Sequence, residues 1–276
     1  MLSGKAMPHL WGIHVARHPI SPFQNGKNMH LPGSTLSFLY MPLDGVAAYW
    51  LALRKLIGNS RNAKALEAES QFTGEPFVRH LLDMLIAQVP SERFRYFADI
   101  CGRSEIERLD RQFDLMRIAV MDIATGENPL RTLAKFTALF PAPITDPESM
   151  LETAQTHLAA AVDRTLPPVV YTVAHDMADQ TLAAVLVFYT TLARRHGKAA
   201  CRTFLPQERS LFFTDALSLV LDGFDNPFIR KWMKKYKLVL IRDMQRKISL
   251  SIDMGAAIQD RTPFDEMRFL VRSYIR

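Results

Sequence analysis

Cysteine, glycine, long apolar runs and N-terminal acid are all scarce in this 276-residue chain. The two cysteines, Cys101 and Cys201, are too few and too far apart for a disulfide framework or a zinc knuckle, which fits a reducing compartment. Only 12 glycines are present, below the usual share, and no Gly-rich phosphate loop is found. HExxH, paired CxxC, the nucleophile elbow and the EF-hand loop are missing too, so the sequence favours a non-enzymatic protein. The longest near-apolar run, Leu182 to Ala193, is about 12 residues with two Thr, whereas a spanning helix needs about 20. Residues 1–20 lack the uninterrupted apolar core of a signal peptide. No acid occurs in the first 43 residues, whose only formal charges are Lys5, Arg17 and Lys27.

What is present is ample apolar residue, 48% of the chain, against 22% charged. That excludes disorder and allows one large domain or two small ones. The net charge of +6 is uneven. Residues 226–276 hold 12 Lys+Arg and 5 Asp+Glu, whereas the 225 residues before them hold 22 and 23. A basic end implies an acidic partner: nucleic acid, anionic headgroups or an acidic protein surface.

Residues 1–43 read as an irregular arm, with five prolines and four glycines interspersed with Trp11, Phe23, Phe38 and Tyr40. Residues 44–276 read as helical, with a possible subdivision near 141–146 at Pro141-Ala142-Pro143. Ser104-Glu105-Ile106-Glu107 has the form of a capping box and predicts a helix start. Asn128-Pro129, Asp146-Pro147 and Asn226-Pro227 predict three more, and Pro167-Pro168 and Pro206 open two others. Sustained alternation is nearly absent. The prediction is an all-α, multi-helix globular domain of nine to eleven helices behind a Pro/Gly-rich arm.

His175-Asp176 is the one dyad with metal chemistry in reach. A phosphohydrolase of the HD type would need it to join His80 or His157 upstream and Asp215 or Asp222 downstream. The plainer alternative is a hydrogen-bonded His and a surface carboxylate. His14 and His18 have i,i+4 spacing, but Pro19 disfavours helical geometry there. The densest basic stretch is Arg230, Lys231, Lys234, Lys235, Lys237, Arg242, Arg246 and Lys247, opposed only by Asp243. It reads as a solvated helix face, a docking surface for acidic protein or anionic lipid, or a nucleic-acid contact.

One segment carries a more specific signal. His175 leads into a long apolar stretch, Ala193-Arg194 stands ahead of Gly197, and Phe204-Leu205 follows seven residues after that Gly. Pro206-Gln207-Glu208-Arg209-Ser210-Leu211-Phe212-Phe213 comes next. This pattern resembles the soluble part of the DotM/IcmP–TrbA family of type IV secretion and conjugative transfer systems. There a His opens a long helix and Pro-x-Asp-Arg-x-Leu-Trp-Tyr follows the Phe-Leu. This chain has Glu for Asp, Phe for each aromatic, and Asp176-Met177 where the family has Ala-Tyr. On this pattern Pro206 starts a helix, Glu208 sits in its first turn, Arg209 pairs with a carboxylate on a neighbouring helix, and Leu211, Phe212 and Phe213 are core or interface anchors.

The resemblance implies a helical cytosolic module, without cofactor, that binds the coupling ATPase and receives acidic cargo at the cytosolic face of the bacterial inner membrane. Membrane contact would come through a partner or an N-terminal anchor. The 230–247 stretch is the candidate partner face by its charge. A nucleic-acid-associated helical protein and the HD-type phosphohydrolase are the alternatives.

Overall fold

The computed structural model describes residues 37–58, 63–141, 144, 146–162 and 171–275. Within these lie ten α-helices and no strand. They are α1 (Leu43–Ile57), α2 (Ala63–Phe72), α3 (Pro76–Ile86), α4 (Ser91–Thr125), α5 (Pro129–Thr137), α6 (Pro147–Val162), α7 (Asp179–His196), α8 (Leu211–Leu221), α9 (Asn226–Gln259) and α10 (Phe264–Ile275). The all-α class expected from periodicity is the class observed. Short 3-10 turns, Lys198–Thr203 and Leu205–Gln207, bridge α7 to α8. The described residues belong to one compact unit.

Several starts follow from local chemistry. The Asn128 side chain accepts from the Leu130 amide, and Pro129 occupies the first helical position where its missing N–H costs nothing. Asp146 accepts from the Ser149 amide at 2.9 Å in the same way before α6. For α9 the cap is Asp225, one residue ahead of Asn226, accepting from the Phe228 amide. Gly126, at φ +65, takes the left-handed conformation that closes α4.

Two predicted starts are corrected. The capping-box sequence at Ser104 starts nothing: α4 runs unbroken from Ser91 to Thr125, and Glu105 pairs with Arg108 instead of reaching back. Packing against α9 on both sides of Ser104 outweighs one local start signal. Pro206 opens only a single 3-10 turn, and α8 begins at Leu211, capped by Ser210, which accepts from the Phe213 amide. The start predicted at Pro167-Pro168 lies outside the described residues; α7 itself begins at Asp179, with His175 in a turn ahead of it.

The two long helices form the spine. Phe94 of α4 meets Gly255 of α9, Gly102 meets Ile248, and Asp110 and Asp114 meet Lys237, so the pair runs antiparallel. Each spans about 50 Å. Their close approach needs the absence of a side chain at two points. A Cβ at Gly255 would stand 2.5 Å from the ring of fully buried Phe94, and one at Gly102 would stand 2.6 Å from Ile248. Gly255→Val is therefore expected to destabilise the protein by about 2 kcal/mol despite its gain over glycine in helix propensity, because the packed ring has no room to retreat. A urea midpoint for this variant at or above that of the parent would contradict the account.

Around the spine, α1, α3 and α10 cover the C-terminal half of α9, while α7 and α8 pack on α4. Fully buried Trp50 of α1 donates to Ser251 of α9 at 2.9 Å, which settles its one polar atom. Residues 37–42, placed in the arm by composition, form a turn against this body, and Phe38 and Leu39 are core residues.

A buried node and a candidate docking face

The motif-bearing segment converges on one node. The chain at 171–175 lies beside 208–210, where the Arg209 and Ser210 amides both donate to the Val173 carbonyl at 3.1 and 3.0 Å. Glu208 then turns inward. Its carboxylate accepts from the Val173 amide at 2.5 Å and from the Tyr189 hydroxyl of α7. Burial pushes this carboxyl up to about 7 against the lowering effect of those two donors. Glu208 is thus no helix-dipole carboxylate, as predicted, but an inward tie between α7 and the loop. It faces inward because α8 starts at Leu211, five residues beyond Pro206.

His175 sits behind it. Its Nε2 lies 2.8 Å from the Tyr40 hydroxyl and 2.9 Å from Ser210 Oγ, while the Phe113 ring packs edge-on against the imidazole. Nδ1 is buried without a hydrogen-bond partner. Burial and the nearby Arg108 guanidinium lower its pKa to about 3, so the ring is neutral. Arg108 in turn donates to the His175 carbonyl at 2.7 Å and binds Glu105. Phe204 packs against Tyr171, Phe188 and Tyr189, and Phe212 and Phe213 are fully buried. Arg194 donates to the Gly126 carbonyl at 2.8 Å, joining α7 to the end of α4, and Gly197 at φ +80 turns the chain out of α7. Leu205 is half-buried against the core, and Pro206 is exposed.

Two members depart from expectation. Leu211 is largely exposed and is no core anchor, because Ser210 rather than Leu211 points inward at the start of α8. Arg209 finds its carboxylate, Asp176 at 3.0 Å, on the preceding turn and not on a helix, and both side chains are exposed.

This node has little means to do chemistry. Ser210 and His175 have the spacing of a nucleophile and its base, but Ser210 is 0% exposed and already caps α8. Among the described residues no carboxylate orients the second imidazole nitrogen, the third element such a pair needs. Among the described residues no group of three or more His, Cys, Asp or Glu could hold a metal ion, so the HD set around His175-Asp176 is not brought together. His14 and His18 fall outside the described residues. Burial holds both cysteine thiols above their ordinary range, Cys201 at about 12, so neither is an activated nucleophile.

The basic stretch divides in two. Lys237 bridges Asp110 and Asp114 of α4 at 2.8 and 2.9 Å, and Arg246 donates to the Tyr274 carbonyl, so both serve the fold. Lys247 is only 1% exposed; it donates to the carbonyls of Phe38 and Leu39 at 3.2 and 2.7 Å and pairs with Asp243. Lys237 thus lies on the inner side of α9 against α4, whereas Arg246 stays exposed with its guanidinium engaged by the Tyr274 carbonyl. Arg230, Lys231, Lys234, Lys235 and Arg242 remain, all exposed, with no carboxylate partner among the described residues.

Lys231, Lys235 and Arg242 share their side of α9 with apolar groups that charge counting missed. Phe224, Phe228, Leu238 and Val239 are between 43% and 61% exposed. Their signal in the sequence was present: Phe228, Lys231, Lys235, Leu238 and Arg242 follow a 3-4-3-4 spacing that puts them on one face.

Two clefts lie elsewhere. One of about 630 Å³ sits where α1 ends beside the α9–α10 junction, lined by Arg54, Lys55, Arg261 and Phe264. There Arg54 donates to the Gly58 and Thr262 carbonyls, a cation serving two helix C-termini. The other, about 270 Å³, lies between α4 and α9 around Gly102 and Ile248.

No protein-family model, curated protein or solved structure matches this chain.

Proposed function

We propose that this protein is a non-catalytic all-α adaptor of a type IV secretion or conjugative DNA-transfer coupling complex, acting at the cytosolic face of the bacterial inner membrane. Its partners would be the coupling ATPase and acidic cargo. The observation that carries the reading is the division of labour along the chain. The residues on which the resemblance rests, from His175 to Phe213, are spent on a closed internal tie between α4, α7 and α8. Five cations, by contrast, stand outward on α9 with no carboxylate partner among the described residues. A scaffold inside and a charged face outside is what a docking protein needs, whereas an enzyme needs reactive groups open to substrate. Among the described residues no helix is long and apolar enough to cross a membrane, so recruitment by a partner or a surface fits this role.

The test is co-purification of the coupling ATPase with the full chain from its native host. The ATPase is expected to be retained by the parent protein and depleted at least tenfold by Lys234→Glu with Lys235→Glu. Retention by the charge-reversed protein would preserve the adaptor and remove the α9 face from it. Failure of the parent chain to retain the ATPase would sink the reading.

A further inference from the structure

The α9 face carries more than charge, and its occupant follows from the mixture. Phe228, Lys231, Lys235, Leu238, Val239 and Arg242 fall within about 100° of one another around the helix and extend for about 21 Å along it. Lys234 flanks one edge, Arg230 lies further round the helix, and Phe224 adjoins Phe228 at the N-terminal end, their rings 5.4 Å apart and stacked. We propose that this face rests directly on a bilayer surface rich in anionic phospholipid. It takes α9 as the docking face from the reading above and names the surface it docks on.

Three observations select a bilayer over other polyanions. First, the apolar members are large, exposed and interleaved with the cations, so one surface offers both headgroup contact and insertion into the acyl boundary. Second, the apolar and charged residues follow one 3-4-3-4 stripe of a single helix, a linear array that can lie against a plane along its length. Third, the fit to nucleic acid is poor. The two phenylalanine rings stack on each other, which leaves each only one outer face, and Leu238 and Val239 cannot stack at all. Lysines outnumber arginines here, giving point charges suited to diffuse headgroups more than to bidentate phosphate recognition. The resemblance implied membrane contact through a partner or anchor, whereas the basic stretch by itself left docking on anionic lipid open. The exposed apolar residues among the cations supply a direct route.

Co-sedimentation of the full chain with vesicles tests this. Vesicles of phosphatidylcholine alone are expected to leave it in solution, and phosphatidylcholine–phosphatidylglycerol vesicles to carry it down. Lys231→Gln with Lys235→Gln should weaken that partition about 30-fold, near fivefold per cation. Leu238→Ser with Val239→Ser keeps every charge, yet should weaken it about tenfold and leave the residual binding abolished by salt. All four side chains are exposed, and circular dichroism should show both variants folded. Absence of binding to the anionic vesicles, or full binding by either variant, would overturn the proposal. If the anionic vesicles fail while the ATPase still co-purifies through Lys234 and Lys235, the adaptor stands and the face belongs to an acidic protein. If vesicles bind and no ATPase is retained, the lipid surface stands without the adaptor.

Discussion

Replacing Lys247 by Met is expected to lower the free energy of unfolding by about 3 kcal/mol, although the variant keeps the length and most of the volume of the side chain. The loss comes from what is left behind. The Phe38 and Leu39 carbonyls accept from this ammonium in a site where almost no water reaches, and each would be stranded. Asp243, the third partner, is partly exposed and can be rehydrated, so it adds less. The same change should loosen the 37–41 turn specifically. Phe38 donates its amide to Glu75 at 2.6 Å, and that amide should exchange with solvent faster in the variant, while amides in the centre of α4 slow or speed only with global stability. A urea midpoint within about 0.5 kcal/mol of the parent would show that Lys247 does not hold this turn.

Lys247 and Lys234 show why the basic stretch could be located from sequence but not sorted. Both are lysines on the same helix with similar neighbours, yet one is sealed in the core and the other faces solvent. What separates them is the arrival of residues 38–39 from more than 200 positions away, and helical periodicity says nothing about that partner. Caps behaved differently. Asn128 and Asp146 were readable because the donor each satisfies lies two or three residues ahead. Ser104 has the same local grammar but lies inside a helix that α9 supports on both sides of it. The node was half legible: the spacing of His175, Gly197 and Phe204 singled out the right segment. The inward turn of Glu208 depends on Tyr189, one turn of α7 that sequence pattern marks only as apolar.

That turn gives the second large expectation, a pH dependence that Glu208→Gln should unmask. Two titrating groups of the node oppose one another. His175 has its pKa lowered to about 3 in the folded state against an ordinary value of 6.5. Between those values the unfolded chain carries the extra proton, so this group makes stability rise with pH and drains it as pH falls below 6.5. Glu208 has its pKa raised from 4.5 to about 7. Between those values the folded chain carries the extra proton, so this group makes stability fall as pH rises, by about 3 kcal/mol across the full window. From pH 4.5 to 6.5 the two slopes nearly cancel. An amide at 208 keeps an oxygen for the Val173 amide and has no proton to lose. The variant should therefore be close to the parent near pH 4.5 and more stable by about 3 kcal/mol at pH 8. Its stability should also climb with pH through the acidic range where the parent is flat. Urea unfolding of both proteins at pH 5, 6.5 and 8 measures this, and because the remaining groups are common to both, the difference isolates position 208. Parallel curves would mean that the Glu208 carboxylate is as well solvated in the folded protein as in the unfolded chain, and that its tie to Tyr189 and Val173 is not what closes the node.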